Sequence, residues 1–298
     1  MEYHVPVMLD ECLEGLNIKK DGTYIDVTFG GGGHSRAIMN KLGAKGRLIV
    51  FDQDDDALAN AIDDPRFLLV PYNFRYLHKF CRLEQALGAD GIIADLGISS
   101  HQIDVRERGF SYMLGGTLDM RMNRSNPLTA AHILNHYEEK DLLILLSQYG
   151  EVRNAKRLSR AIVQRRRQAA FSTISDFIEF LSTLSIGNRN KYLSQVFQAL
   201  RIEVNDEINA LKEMLLDSLK VLGPGGRMVV MSYHSLEDRL VKRFFRSGNF
   251  EGEVHRDSYG NTDLPWKVIT KKAIEAGKGE VASNVRARSA KLRIAEKL

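Results

Sequence analysis

Five short apolar runs lie towards the two ends of the chain, each bounded by turn-forming residues. They are Thr23–Thr28 (TYIDVT), Arg47–Asp52 (RLIVFD), Phe67–Val70 (FLLV), Gly91–Asp95 (GIIAD) and Arg227–Ser232 (RMVVMS). Runs this short with few polar interruptions read as strands buried on both faces, as in a parallel sheet. Helical spacing begins near His34, Asp54 and Phe74, between the first four runs. Strand and helix alternating at this interval predict an α/β, doubly wound sheet with right-handed crossovers. Near the end, WKVITKK from Trp266 and SAKLRIAEKL from Ser289 predict a closing antiparallel hairpin.

The alternation stops in the middle. From about Ile103 to Asn205 no segment reads as a strand. A loop rich in Gly, Met and Arg (106–126) leads to helical patterns at about 138–148, 151–169, 175–184 and 190–200. Asn126-Pro127 predicts an earlier helix start, a capping side chain followed by Pro at the first helical position. The expected organisation is a sheet domain of residues 1–102 and 206–298 interrupted by a helical insertion, 103–205, of ordinary domain size.

Composition narrows the class. Hydrophobic residues make up 44% and charged residues 27%, as in soluble globular proteins. No apolar run approaches the roughly 20 residues that span a bilayer, and MEYHVPVMLDE reads as neither a signal nor a transit peptide. Cys12 and Cys81 form no CxxC pair, which fits a reducing cytoplasm and no cysteine zinc site. Net charge is +4, yet residues 151–170 and 265–298 each carry +6, so the remainder is acidic. Concentrated basic tracts suggest a polyanionic partner. A solvated helix face and a basic tail would give the same pattern.

The strongest local signal is YIDVTFGGGGHS (24–35), a strand running through four glycines, Gly30 to Gly33, into a helix. Glycine is used where a ligand approaches the backbone closely or where φ must be positive. Asp52 ends the next strand 22 residues after Gly30, near the usual spacing of an acid that takes a ribose hydroxyl. A nicotinamide fingerprint, G-x-G-x-x-G, fails in either register, because Ser35 or Arg36 occupies the third glycine position. There is no GxxxxGK[ST] either. S-adenosylmethionine, which has a ribose and no pyrophosphate, fits what remains. LKVLGPGGRMVVMS resembles the helix, Pro-Gly-Gly, strand passage of methyltransferases that use it.

Longer motifs carry a narrower resemblance. HVPVM (4–8), DVTFGGGGHS (26–35), FDQD (51–54), DLGISSHQ (95–102), ERGFSY (107–112), LDMRM (118–122), QALRIEVNDE (198–207), SYHSLEDRLVK (232–242) and NVRARSAKLR (284–293) follow one another along nearly the whole chain. Together they resemble the bacterial small-subunit rRNA cytosine-N4 methyltransferase family. RIEVNDE and HSLEDR are not shared by methyltransferases at large. The resemblance implies a Rossmann-like sheet with an inserted helical domain, S-adenosylmethionine as donor, and a cytidine near the decoding site of 16S rRNA as acceptor. By motif it also implies cofactor contacts from Gly32, Gly33, His34, Asp52, Phe74, Asp95 and Gln102. A lone Phe such as Phe74 is more often a core residue.

A cytosine amine is a poor nucleophile because its lone pair is delocalised into the ring, so positioning and hydrogen-bond acceptors for its N–H groups matter most. The base must also be unstacked. Amine methyltransferases usually place D/N-P-P-Y/F after the fourth strand, whereas Asp95-Leu96-Gly97-Ile98 stands here. Asp95 is therefore a candidate for cofactor contact and for accepting from the amine, and Gly97 for a close backbone approach. Asn205 and His234 are further catalytic candidates, set against a buried structural amide and a structural histidine. His132 and His136 are four apart but lack an adjacent acid or third ligand, so no metal is expected. Residues 151–167, with Arg286, Arg288, Lys291 and Arg293, are expected to grip RNA backbone, and Phe110 and Tyr112 to stack on the base. Rival readings are a ribosome assembly factor that binds S-adenosylmethionine without transfer, or a methyltransferase for another substrate. A pure RNA binder has no need of a nucleoside seat.

Overall fold

The computed structural model describes residues 6–298 except His255 and Asp257, so the first two residues of HVPVM lie outside the described residues. The chain divides into two compact units, Met1–Gly97 with Ile208–Leu298, and Ile98–Glu207.

The first unit holds a mixed sheet, eight-stranded among the described residues. Its strands are β1 (Thr23–Asp26), β2 (Arg47–Phe51), β3 (Phe67–Val70), β4 (Ala89–Asp95), β5 (Leu222–Ser232), β6 (Trp266–Val268), β7 (Ile274–Glu275) and β8 (Lys291–Lys297). The order is β3-β2-β1-β4-β5-β8-β6, with β7 also on β8. β1 to β5 run parallel; β8 is antiparallel to β5 and β6. β6 and β8 thus pair antiparallel as expected, but no tight turn joins them. The connection contains β7 and the helix Lys278–Ser283, and β8 is wedged between β5 and β6.

Period-two alternation assigns the strand residues to two cores. Ile25, Ile49, Phe51, Ile92, Met228 and Val230 face one side, against helices Leu77–Leu83 and Ser235–Ser247. Tyr24, Leu48, Val50, Ile93, Val229 and Met231 face the other, against helices Leu9–Leu16 and Gly33–Lys41. Each fully buried Ile or Val contributes about 1.5–3 kcal/mol relative to exposure, which is why the central strands read as continuous apolar runs. β5 starts earlier than the sequence suggests. Leu222 already pairs with Ala89, and the register then shifts so that Arg227 meets Gly91, with Gly225 at φ +74° taking up the irregularity.

The order reverses between β1 and β4: the chain builds outward through β2 and β3, then crosses back. A crevice opens outside the carboxyl ends of such strands, where ligands of open α/β sheets bind.

The second unit is helical, with helices including Ala130–His136, Glu139–Gln148, Ala155–Arg166, Ile174–Ser182 and Arg189–Asn205 around a core of its own. The helix expected at Asn126-Pro127 begins instead at Ala130. Thr129 caps it by accepting from His132 N–H, while Asn126 Oδ1 accepts from Leu128 N–H and turns the chain before the helix starts.

Candidate active site

The turn after β1 is shaped by its glycines. Gly32 sits at φ +74° as the residue before helix Gly33–Lys41. A Cβ there would lie 3.0 Å from the Phe29 ring, and one on Gly33 would meet Pro6 at 2.5 Å. A Cβ on Gly31 would meet nothing within 4 Å, so that side of the turn faces open space. The outer side is strapped. Asn60 Nδ2 donates to Gly30 O at 3.0 Å, and Arg36 donates to Gly31 O at 2.8 Å and to Asn60 O at 3.0 Å.

Three carboxylates stand at the carboxyl ends of adjacent strands. Asp52, just past β2, accepts from Gly30 N–H at 2.7 Å and from Asp54 N–H at 2.9 Å. Burial pushes its pKa up to about 6, against the pull of those two bonds. Asp26, the last residue of β1, is buried and accepts from Ser35 Oγ at 2.6 Å and Thr28 N–H at 3.0 Å. Burial raises its pKa as well, opposed by Ser35 and His34. Asp95 closes β4. Its N–H donates to Thr28 Oγ1 at 2.7 Å, and its Oδ1 accepts from the Tyr233 hydroxyl at 2.7 Å. Its pKa is also raised, by burial first, with His34 and Tyr233 opposing and Asp26 and Glu237 adding to the rise.

His34 is buried in the first turn of its helix, with Nε2 3.1 Å from Val7 O and Nδ1 3.9 Å from Asp95 Oδ2. A carbonyl only accepts, so Nε2 carries a proton and Nδ1 is the atom turned towards Asp95. Gly97, at φ +100°, follows β4 in a conformation that glycine adopts without strain. The first unit therefore brings together Gly32, Gly33, His34, Asp52 and Asp95 around one crevice.

Phe74 lies just past β3, in a short turn capped by Asn73, and its ring packs against the core beneath the sheet. His234 caps helix Ser235–Ser247: its Nδ1 accepts from Glu237 N–H, and Glu237 Oε2 accepts in return from His234 N–H. Its Nε2 lies 3.1 Å from Glu237 Oε1.

In the second unit, Asn205 is buried. Its Nδ2 donates to Met120 O and Arg201 O, and its Oδ1 accepts from Met122 N–H at 2.7 Å. Both amide hydrogens are therefore spent on backbone carbonyls. Gln102 is buried in a capping box with Ser99, whose N–H donates to Gln102 Oε1 at 3.0 Å.

Several expectations give way. Phe110 belongs to the core of the insertion, and Tyr112 packs edge-on against Phe197 with its hydroxyl 3.3 Å from Ser194 Oγ. The Phe110 ring is not presented for base stacking, since apolar burial claims it, while Tyr112 is only partly buried. Arg293 is buried against Asp238 in a two-pronged pair at 2.7 and 3.2 Å, and Lys291 lies 3.8 Å from the same acid. A buried guanidinium needs its carboxylate, so Arg293 is unavailable to phosphate. His132 and His136 stack at 4.4 Å, and His136 Nδ1 lies 3.1 Å from His132 O.

Sequence reasoning missed Asp26, Thr28, Ser35 and Tyr233, which build the hydrogen-bonded floor joining β1 to β4. An acid ending an apolar strand one turn before the glycines was the available signal for Asp26. Nothing in the sequence marked Tyr233.

The motifs have close counterparts. A model of the MraW methylase family matches residues 1–298. Ribosomal RNA small subunit methyltransferase H of Flavobacterium johnsoniae is 53% identical over 299 residues, covering 100% of this chain and 99% of that protein. The protein of the same name from Parabacteroides distasonis is 53% identical over 298 residues, with 99% and 98% covered. That from Cytophaga hutchinsonii is 54% identical over 298 residues, with 99% of each covered. With its glycine turn and three strand-end acids in place, the chain belongs to the MraW methylase family.

Proposed function

We propose that the chain transfers a methyl group from S-adenosylmethionine to the exocyclic N4 amine of a cytidine in 16S rRNA near the decoding site. The observation that carries this reading is the placement of Asp52, Asp26 and Asp95 at the ends of three neighbouring strands, beside a glycine turn that is open at Gly31. S-adenosylmethionine, when bound, supplies an electrophilic methyl group on a sulfonium sulfur.

Asp52 would accept from the ribose hydroxyls, using lone pairs beyond the two that hold Gly30 and Asp54. Gly31 to Gly33 would admit the donor to the backbone. His34 would wall the crevice, and Phe74, set in the core, would support the nearby loop. Asp95 would serve the reacting centre. Its raised pKa makes it a better acceptor for an amine N–H and for the proton released on transfer. The Tyr233 hydroxyl donates to that carboxylate and fixes its orientation, while Thr28 Oγ1 accepts from the Asp95 backbone N–H and anchors the strand end. Asn205, with its amide saturated, is read as a brace for residues 120–122, and His234 as a helix cap. Gln102 is kept as a cofactor contact by motif, and the insertion is read as recognising substrate. The reaction would take place in the cytoplasm on rRNA or the small subunit, a reading with which the family is consistent. Among the described residues no helix is long and apolar enough to cross a membrane.

The test separates donor binding from transfer. Calorimetry with the wild type, Asp52→Asn and Asp95→Asn should show the larger affinity loss in Asp52→Asn. Turnover at saturating donor should fall most in Asp95→Asn. Unaltered donor affinity in Asp52→Asn would remove the ribose role, and unaltered turnover in Asp95→Asn the reacting-centre role.

A further inference from the structure

His34 and Asp95 meet through two atoms that both accept hydrogen bonds. His34 Nε2 lies 3.1 Å from Val7 O, and a carbonyl has no proton to give, so Nε2 is the donor and Nδ1 keeps the lone pair. Nδ1 lies 3.9 Å from Asp95 Oδ2. The other carboxylate oxygen, Oδ1, already accepts from the Tyr233 hydroxyl. A ring lone pair and an ionised carboxylate repel each other unless a proton stands between them. The two side chains are 7% and 27% exposed, so water screens the contact poorly.

The fold fixes this arrangement from both ends. Met8 N–H donates to Glu280 Oε1 at 2.7 Å, which holds the Val7 carbonyl that sets the His34 tautomer. On the other side, Tyr233 holds the carboxylate and Thr28 the strand end. Around the pair stand Asp26 at the end of β1, Glu11 and Cys12 on helix Leu9–Leu16, and Tyr233 after β5. Glu237 on helix Ser235–Ser247 and Glu280 on helix Lys278–Ser283 complete the set. Of these groups only His34 becomes a cation when it takes up a proton. Burial raises the Asp95 pKa, and His34 is the largest influence opposing that rise. The two groups are therefore coupled.

We propose that His34 is a positioning residue for the proton of the transfer step, sharing it with Asp95 through Nδ1 and so keeping that carboxylate able to accept from the amine. The inference rests on the methyl-transfer reading above. In that step the N4 lone pair forms the N–C bond while the C–S bond breaks and its electron pair stays on sulfur. The cationic N4 gives a proton to Asp95 Oδ2, and Asp95 passes it to His34 Nδ1. Asp95 is again a carboxylate, and the imidazolium keeps its Nε2–H on Val7 O. The 3.9 Å separation closes to hydrogen-bond distance for the second transfer, as catalytic contacts commonly do when a site fills. The first turn of a helix disfavours a lasting cation, so the ring releases the proton to water as product leaves.

The experiment reads the imidazole directly. The full chain with isotopically labelled histidine is followed by nitrogen NMR over a pH series, without donor or RNA, as wild type and as Asp95→Asn. At high pH the wild-type His34 ring should show the Nε2–H tautomer. A proton should arrive on Nδ1 as pH falls, and in Asp95→Asn it should arrive about one pH unit lower or more, as for groups that titrate as a pair. Coupling is reciprocal. His34→Gln, which can still donate to Val7 O but offers Asp95 no base, should therefore move the acid side of the pH–turnover profile up by a similar amount. Its plateau turnover should fall roughly tenfold, less than the roughly 10²–10⁴ typical of a direct acid–base group. Turnover lost by one factor at every pH would make His34 a wall alone and overturn the proposal. So would an Nδ1–H tautomer at high pH, or a His34 titration indifferent to Asp95→Asn. Should His34→Gln not fold, the Asp95→Asn spectra decide alone. If the wild type methylates no rRNA, the functional reading fails, and the spectra still decide whether the two groups share a proton.

Discussion

At the end of β2 one carboxylate ties two backbone N–H groups together, so Asp52 shapes the glycine turn as well as facing the crevice. Its pKa of about 6 is raised above the ordinary value by burial, so in the folded chain it ionises between about pH 5 and 7. For a raised acid, the protonated form is favoured in the fold. Ionisation therefore costs stability from the ordinary pKa near 4 up to about 6, and nothing further above that. Donor affinity has the opposite sign, because a carboxylate accepts hydroxyl bonds better than the neutral acid. Affinity for S-adenosylmethionine should fall as pH drops below about 6, and Asp52→Asn should abolish that dependence while weakening binding roughly tenfold to a hundredfold, the worth of a hydrogen bond to a charged group. A calorimetric pH series checks both, and a flat wild-type profile would sink the ionised clasp. Asn205→Ala should behave differently. Met120 and Arg201 carbonyls and the Met122 N–H would lose a buried partner, costing about 1–3 kcal/mol in thermal unfolding. Turnover per folded molecule should change little at permissive temperature. A collapse of turnover without loss of stability would return Asn205 to the chemistry.

Elements were legible to the extent that one kind of force dominates them. The central strands stood out because both faces are buried, and the predicted first four match β1 to β4 within three residues at each end. The insertion's helices follow their apolar spacing around a private core. What escaped was decided by local polar competition or by partners distant in sequence. Asn126 turned the chain with its own side chain, so the helix begins at Ala130. The Pro-Gly-Gly passage was taken into β5 because Leu222 found Ala89 across the sheet. Arg293 read as a free cation until Asp238, 55 residues away, proved to be its neighbour. Element packing gives its own test at Gly15, where a Cβ would lie 2.7 Å from Ile294 Cδ1 and 3.2 Å from Val229 Cγ2. Gly15→Val should push helix Leu9–Leu16 off β8 and β5, at an overpacking cost of about 1–3 kcal/mol in denaturant unfolding. A neutral result would mean that the helix moves freely on the sheet.

For the whole molecule, the division of labour follows from the two units. One buries a sheet whose switch point gathers three acids and a glycine turn; the other buries a helical core and leaves a basic groove on its surface. The glycine turn and the acid one strand over, which we propose as the donor seat, stood out in the sequence, because close approach and ribose binding restrict residue type. The floor beneath it was not, since Asp26, Thr28 and Tyr233 converge only when β1, β4 and β5 pair. The central claim is methyl transfer to a cytosine amine. Its most direct test incubates the purified chain with isotopically labelled S-adenosylmethionine and small ribosomal subunits from cells lacking the enzyme. The rRNA is then digested and its nucleosides analysed by mass spectrometry. Label should be recovered in N4-methylcytidine with the wild type and be lost or strongly reduced with Asp95→Asn. Label recovered in another nucleoside, or none despite bound donor, would contradict the account.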